Sequence, residues 1–120
     1  MATGLENLKI YQMAKTLEIE IHRITGTFPK DELYRSVDQL RRSSSSVSNN
    51  IAESYNRHSI KDKCHILRDI AMSEAEETES NILRCGEKQF LSGALAKDIA
   101  MRYIELKKAM YGYIRFLNNN

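Results

Sequence analysis

A single proline (Pro29), five glycines and no tryptophan occur in 120 residues. Strand-rich sandwiches and barrels need a turn signal every ~8–12 residues; this chain is too poor in turn formers for that, and long helices fit instead. Apolar runs are short as well. None approaches the ~18 residues of a membrane-spanning helix, so no membrane partner is expected. The opening Met-Ala-Thr-Gly-Leu-Glu-Asn has no basic region followed by an apolar one, the pattern of an export leader, and the expected location is the cytoplasm. The two cysteines, Cys64 and Cys85, fall 21 positions apart on one expected helix. About 30 Å of helix axis lies between them, beyond the reach of a disulfide. Both are expected as buried, reduced thiols. Net charge is small: 18 Lys and Arg face 16 Asp and Glu, for +2.

What is present is 42% apolar and 28% charged, the composition of a globular chain. The length fits one domain over 1–120 with one core. Apolar spacing divides it into four helices, at about 6–25, 31–57, 59–88 and 93–117. In the first, Ile10, Ala14, Leu17, Ile21 and Ile24 step by four and three, the rhythm of a helix burying one stripe. Gly26 and Phe28-Pro29 end it, because proline drives its predecessor out of the helical region. The second repeats the rhythm with Leu33, Val37, Leu40, Ser44, Val47, Ile51 and Ser54. Ser43-Ser44-Ser45-Ser46 has the composition of a linker, but the rhythm passes through it unbroken and predicts helix. Ser59 with Asp62 three residues on resembles a capping box for the third helix. Its stripe is Leu67, Ala71, Ala75, Thr78, Ile82 and Cys85. Ser92 is the expected cap of the fourth, which carries Leu95, Ile99, Tyr103, Leu106, Met110, Tyr113 and Leu117. The fold class is therefore all-α, an up-down-up-down antiparallel four-helix bundle. The small residues at mid-stripe predict the closest backbone approach between helices two and three.

Charge is segregated along the chain. Residues 35–68 carry seven cations against three carboxylates, and 88–120 six against two, each +4; residues 69–87 carry one cation against six carboxylates, −5. The acidic run Glu74, Glu76, Glu77, Glu79 invites a metal reading, yet a di-iron bundle needs two Glu-x-x-His motifs on facing helices. Only Asp62-x-x-His65 approaches that pattern. No Gly-x-Ser-x-Gly elbow or glycine-rich phosphate loop is present, and Cys64 and His65 are adjacent, about 100° apart on a helix. Neither an enzyme nor a cofactor or metal protein is expected.

A second, polar stripe runs beside the core stripe of helix two: Gln39, Arg42, Ser46, Asn50, Glu53 and Arg57, on one helical face. Two readings stand, a polar interface with another subunit or ligand and a solvated face. Arg35, Arg41, Arg42, Arg57, Lys61, Lys63 and Arg68 form candidate contacts to RNA or DNA phosphates. The sequence pI of about 8.5 lies below the pI > 9 footprint of a committed nucleic-acid binder. Tyr103 and Tyr113 fall at heptad positions, and the sequence shows no evident stacking platform.

Phe28-Pro29-Lys30-Asp31-Glu32-Leu33-Tyr34, Gln39-Leu40-Arg41-Arg42 and Ser46-Val47-Ser48-Asn49-Asn50-Ile51-Ala52-Glu53 resemble the signature of the bacterial four-helix-bundle family, also called 23S ribosomal RNA intervening-sequence proteins. The likeness continues through Arg57-x-Ser59-x-Lys61-Asp62, Leu67-Arg68 and Ser73-x-Ala75-Glu76. It departs from the family pattern at Ser54, Lys63 and Gln89-Phe90-Leu91. The resemblance implies a homopentameric ring, with the polar stripe of helix two at subunit contacts or lining a pore. The chain is also similar to the accessory variability protein of diversity-generating retroelements, which implies a nucleic-acid-binding or ribonucleoprotein accessory role. The rival expectation is a protein–protein scaffold ring that displays the acidic face of helix three to a protein partner.

Overall fold

The computed structural model describes residues 4–119, and every regular element among them is helical. A short 3₁₀ turn, Leu5–Asn7, precedes α1 (Lys9–Thr25). A second 3₁₀ turn, Lys30–Glu32, and a π-helical stretch, Leu33–Val37, lead into α2 (Asp38–Asn56). The third rod, α3, is α-helical over Ile60–His65, π-helical over Ile66–Ala71 and α-helical again over Met72–Glu87. Gly93–Asn118 is α4.

Side-chain contacts between helices show the direction of each. Ser43 meets Thr78 and Gln39 meets Asn81; Ser45 meets Glu18 and Arg41 meets Thr25; Lys107 meets Glu79, and Arg102 meets Glu20. Between α1 and α2, and between α2 and α3, residue numbers rise along one helix as they fall along its neighbour. That is the up-down-up-down antiparallel bundle, elongated to 47 × 27 × 21 Å. Ile21, Leu40, Val47, Ile51, Leu67, Ile82, Ile99, Leu106 and Met110 are all but fully buried along its axis. Each contributes about 1.5–3 kcal/mol by leaving water.

The ends of the rods obey local rules with two departures. Asp62 N–H donates to Ser59 Oγ (3.0 Å) and Leu95 N–H to Ser92 Oγ (3.1 Å), so both expected caps form. Thr27 Oγ1 donates to the Ile24 carbonyl at 2.8 Å, closing α1 ahead of Pro29. The first departure is Leu33, expected in the core stripe but 47% exposed. The π winding advances each residue by less than the ~100° of an α-helix, so counting back from Leu40 carries Leu33 off the stripe and brings Ser36 inside beside Val37. The second is the end of α3, which closes without using glycine in a left-handed conformation. Gln89 has φ +66°, while Phe90 N–H bonds the Cys85 carbonyl and Gln89 N–H the Gly86 carbonyl, both at 3.0 Å. This is a Schellman closure with glutamine in the left-handed position. It seats Phe90 against Phe28, ring centroids 5.6 Å apart, at the bundle end that also holds the first joint.

Candidate subunit and nucleic-acid interface

Small residues of α2 and α3 face one another in the bundle. Ser43, Ser44 and Thr78 are buried, and Thr78 Oγ1 lies 2.7 Å from Ser43 Oγ. With α2 fixed this way, its polar stripe falls on the flank turned from the core. Gln39, Arg42, Glu53 and Arg57 are exposed, and Ser46 and Asn50 half-buried. The stripe is internally bonded. Asn50 Nδ2 donates to the Ser46 carbonyl at 2.8 Å, Arg57 pairs with Glu53 at 2.7 Å and Arg42 with Asp38 at 3.4 Å. Asn81 Nδ2 reaches Gln39 Oε1 at 3.5 Å, so the head of the stripe touches α3. Arg41, Arg42, Ser45, Ser46, Asn49 and Asn50 enclose an open groove of about 540 Å³ on this outer surface. The groove exists because side chains this short leave the helix backbone near solvent.

The seven basic candidates separate into three kinds. Arg41 and Lys63 are held inside the fold. Arg41 donates to Thr25 Oγ1 (2.9 Å) and the His22 carbonyl (3.1 Å) at the end of α1. Lys63 Nζ donates to the carbonyls of Tyr55 (2.9 Å) and Ser54 (3.3 Å) at the end of α2. Both place a cation where a helix presents free carbonyls and the negative end of its dipole. Arg42 and Arg57 are paired with carboxylates one turn away, as above. Arg35, Lys61 and Arg68 are exposed and make no ion pair among the described residues.

The acidic run of α3 does not form one face. Glu76 and Glu79 turn toward α4, where Lys107 Nζ lies 2.7 Å from Glu79 and 3.8 Å from Glu76. Glu74 and Glu77, also one helical turn apart, sit on the other side of the rod. Among the described residues no three His, Cys, Asp or Glu side chains gather as a metal site would require. No helix among them is long and apolar enough to cross a membrane. Cys64 and Cys85 are both free and buried, and burial pushes the Cys85 thiol up.

Sequence reasoning missed two features. Arg102, half-buried, bridges α1 and α4 through Glu20 (2.6 Å) and Asp98 (3.3 Å), and Glu20 holds its guanidinium above the usual value. The i, i+4 spacing of Asp98 and Arg102 was the available signal; the partner on α1 had none. Tyr111 is the other. It lies off the heptad of α4 and is 53% exposed.

A helical bundle with a bonded polar face on its second helix is the class these observations define. Within it, the family model of the 23S rRNA-intervening sequence proteins matches residues 6–112, and the chain belongs to that family. A solved structure, a protein of unknown function from the S23 ribosomal protein family of Bacteroides thetaiotaomicron, superposes with a TM-score of 0.77. The superposition covers 88% of this chain and 97% of that one at 20% identity, a likeness of fold. No curated protein matches the chain.

Proposed function

We propose that this protein is a non-enzymatic homo-oligomer, a pentamer, that serves as a nucleic-acid-binding or ribonucleoprotein accessory in the cytoplasm. The observation that carries the assembly is the groove of about 540 Å³ on the outer face of α2. Short polar side chains flanked by arginines give a neighbouring helix both close approach and hydrogen-bond partners, which a plain solvated face of Lys and Glu does not. The pentamer is what the family resemblance of the sequence implies, and the nucleic-acid role draws support from Arg35, Lys61 and Arg68, exposed and in no ion pair among the described residues. A ring multiplies each such patch and its field. Two free, buried thiols agree with a reducing compartment. The scaffold reading is weaker, because Lys107 takes up two of the four carboxylates it would display.

Sedimentation equilibrium at micromolar concentration tests the assembly. The expected mass is five times 13.9 kDa, falling when Ser46→Arg and Asn49→Arg fill the groove. A monomeric wild-type protein overturns it. For the nucleic-acid role, structured RNA and DNA are titrated at two salt concentrations. Affinity that falls steeply with salt is expected, and no binding at about 50 mM salt refutes the role.

A further inference from the structure

On α4, Lys97, Lys108 and Arg115 share the outward ridge, all exposed and none in an ion pair among the described residues. The other cations of this helix are engaged, Arg102 with Glu20 and Asp98 and Lys107 with Glu79. Tyr111 stands three residues after Lys108 and four before Arg115, so all three side chains share one helical face. Its ring borders a groove of about 240 Å³ with Met72, Ile104, Lys107, Lys108 and Glu76. Met72 is nearly buried and Ile104 half-buried, giving the groove an apolar side. Glu76 is its carboxylate, and Lys107 lies 3.8 Å from it.

We propose that Tyr111, flanked by Lys108 and Arg115, is a binding site for single-stranded nucleic acid, with one base stacked on the Tyr111 ring. An exposed aromatic between unpaired cations matches the two needs of a single strand, a π-face for a base and positive charge for the adjoining phosphates. Lys108 and Arg115 are seven residues apart, about 10 Å along the axis, a span that long side chains adjust to phosphates on either side of a stacked nucleotide. A duplex keeps its bases stacked on each other and gives the ring nothing to receive, so the site discriminates against paired strands. Tyr111 lies outside the core stripe of α4, whose aromatics are Tyr103 and Tyr113. The inference rests on the nucleic-acid part of the proposed function but uses residues outside those assigned to it from sequence.

The full chain is titrated with a fluorescein-labelled single-stranded 12-mer of uridine and with a duplex of equal length. The single strand is expected to bind more tightly. Tyr111→Ala should weaken it about tenfold or more and Tyr111→Phe should not, since stacking needs the ring and not the hydroxyl. Lys108→Gln and Arg115→Gln should each lower the salt slope by about 0.7. Helical circular dichroism confirms that these exposed substitutions leave the bundle folded. Binding unchanged by Tyr111→Ala but lost on joint substitution of Arg35, Lys61 and Arg68 overturns this site and leaves the proposed function standing. No binding of either probe by the wild-type protein overturns both.

Discussion

Thr78 on α3 and Ser43 on α2 form a hydroxyl–hydroxyl hydrogen bond of 2.7 Å in the middle of the bundle, at 0% and 3% exposure. Thr78 Oγ1 also lies 2.8 Å from the Glu74 carbonyl, so removing Ser43 leaves Thr78 a partner, whereas removing Thr78 strands Ser43. Thr78→Val is expected to cost about 1–3 kcal/mol, because the other contact of Ser43 is a long 3.4 Å approach to the Leu40 carbonyl. The double variant Ser43→Ala, Thr78→Val should cost less than the two singles together. Urea unfolding of the four proteins measures the coupling, and strict additivity would show that the bond contributes nothing.

Two helical glycines are expected to respond with opposite signs. A Cβ on Gly86 would sit 2.7 Å from Ala96 Cβ, so Gly86→Ala must push α3 and α4 apart, at about 1–3 kcal/mol. A Cβ on Gly112 meets nothing within 4 Å, and Gly112→Ala should stabilise by about 0.5–1 kcal/mol through helix propensity. Thermal melts of the pair decide; equal shifts contradict the packing described.

Gln89 adopts φ +66° at the end of α3. The left-handed region costs a side-chain-bearing residue about 1–2 kcal/mol. Gln89→Gly should therefore raise stability by roughly 1 kcal/mol, offset in part by the freer unfolded chain, while Gln89→Val should lower it. A destabilised Gly variant would mean that Lys88-Gln89-Phe90 closes the helix another way.

Burial holds the Tyr103 hydroxyl well above the ordinary tyrosine value, and the hydroxyl has no hydrogen-bond partner among the described residues. Above about pH 10 the unfolded chain releases this proton while the folded chain keeps it, so rising pH favours unfolding. Stability is complete below that value and declines above it. Tyr103→Phe should match or exceed the wild type by about 1 kcal/mol at neutral pH and lose less in alkali. Tyr113 and Cys85, both raised by burial, keep part of the decline. Urea curves at neutral pH and at about pH 11 test this; an equal alkaline loss in the variant excludes Tyr103 as the source.

Cations held in the fold should separate from free ones by stability. Lys63 bonds two terminal carbonyls of α2, and Lys63→Met is expected to cost about 1 kcal/mol. Arg68 is exposed and makes no ion pair among the described residues, and Arg68→Gln should stay within about 0.5 kcal/mol of wild type. Denaturation midpoints of the two variants make the comparison.

The stripes of α1, α3 and α4 were legible in the sequence because apolar residues repeat at helical spacing, and that spacing depends only on near neighbours. The caps Ser59 and Ser92 were legible for the same reason: short side chains at fixed offsets leave few alternatives. The candidate site was legible only as a list of polar and basic residues. Which of them are held by the fold was decided where distant segments meet. Arg41 is tied to α1 from 16 residues away, Lys63 to the end of the preceding helix, and Glu76 and Glu79 to a lysine of α4. The π winding that turns out Leu33 also lies beyond any local window. Periodicity determined which residues lie on one face of each helix; tertiary packing decided which of those faces meet another helix and which remain for a partner.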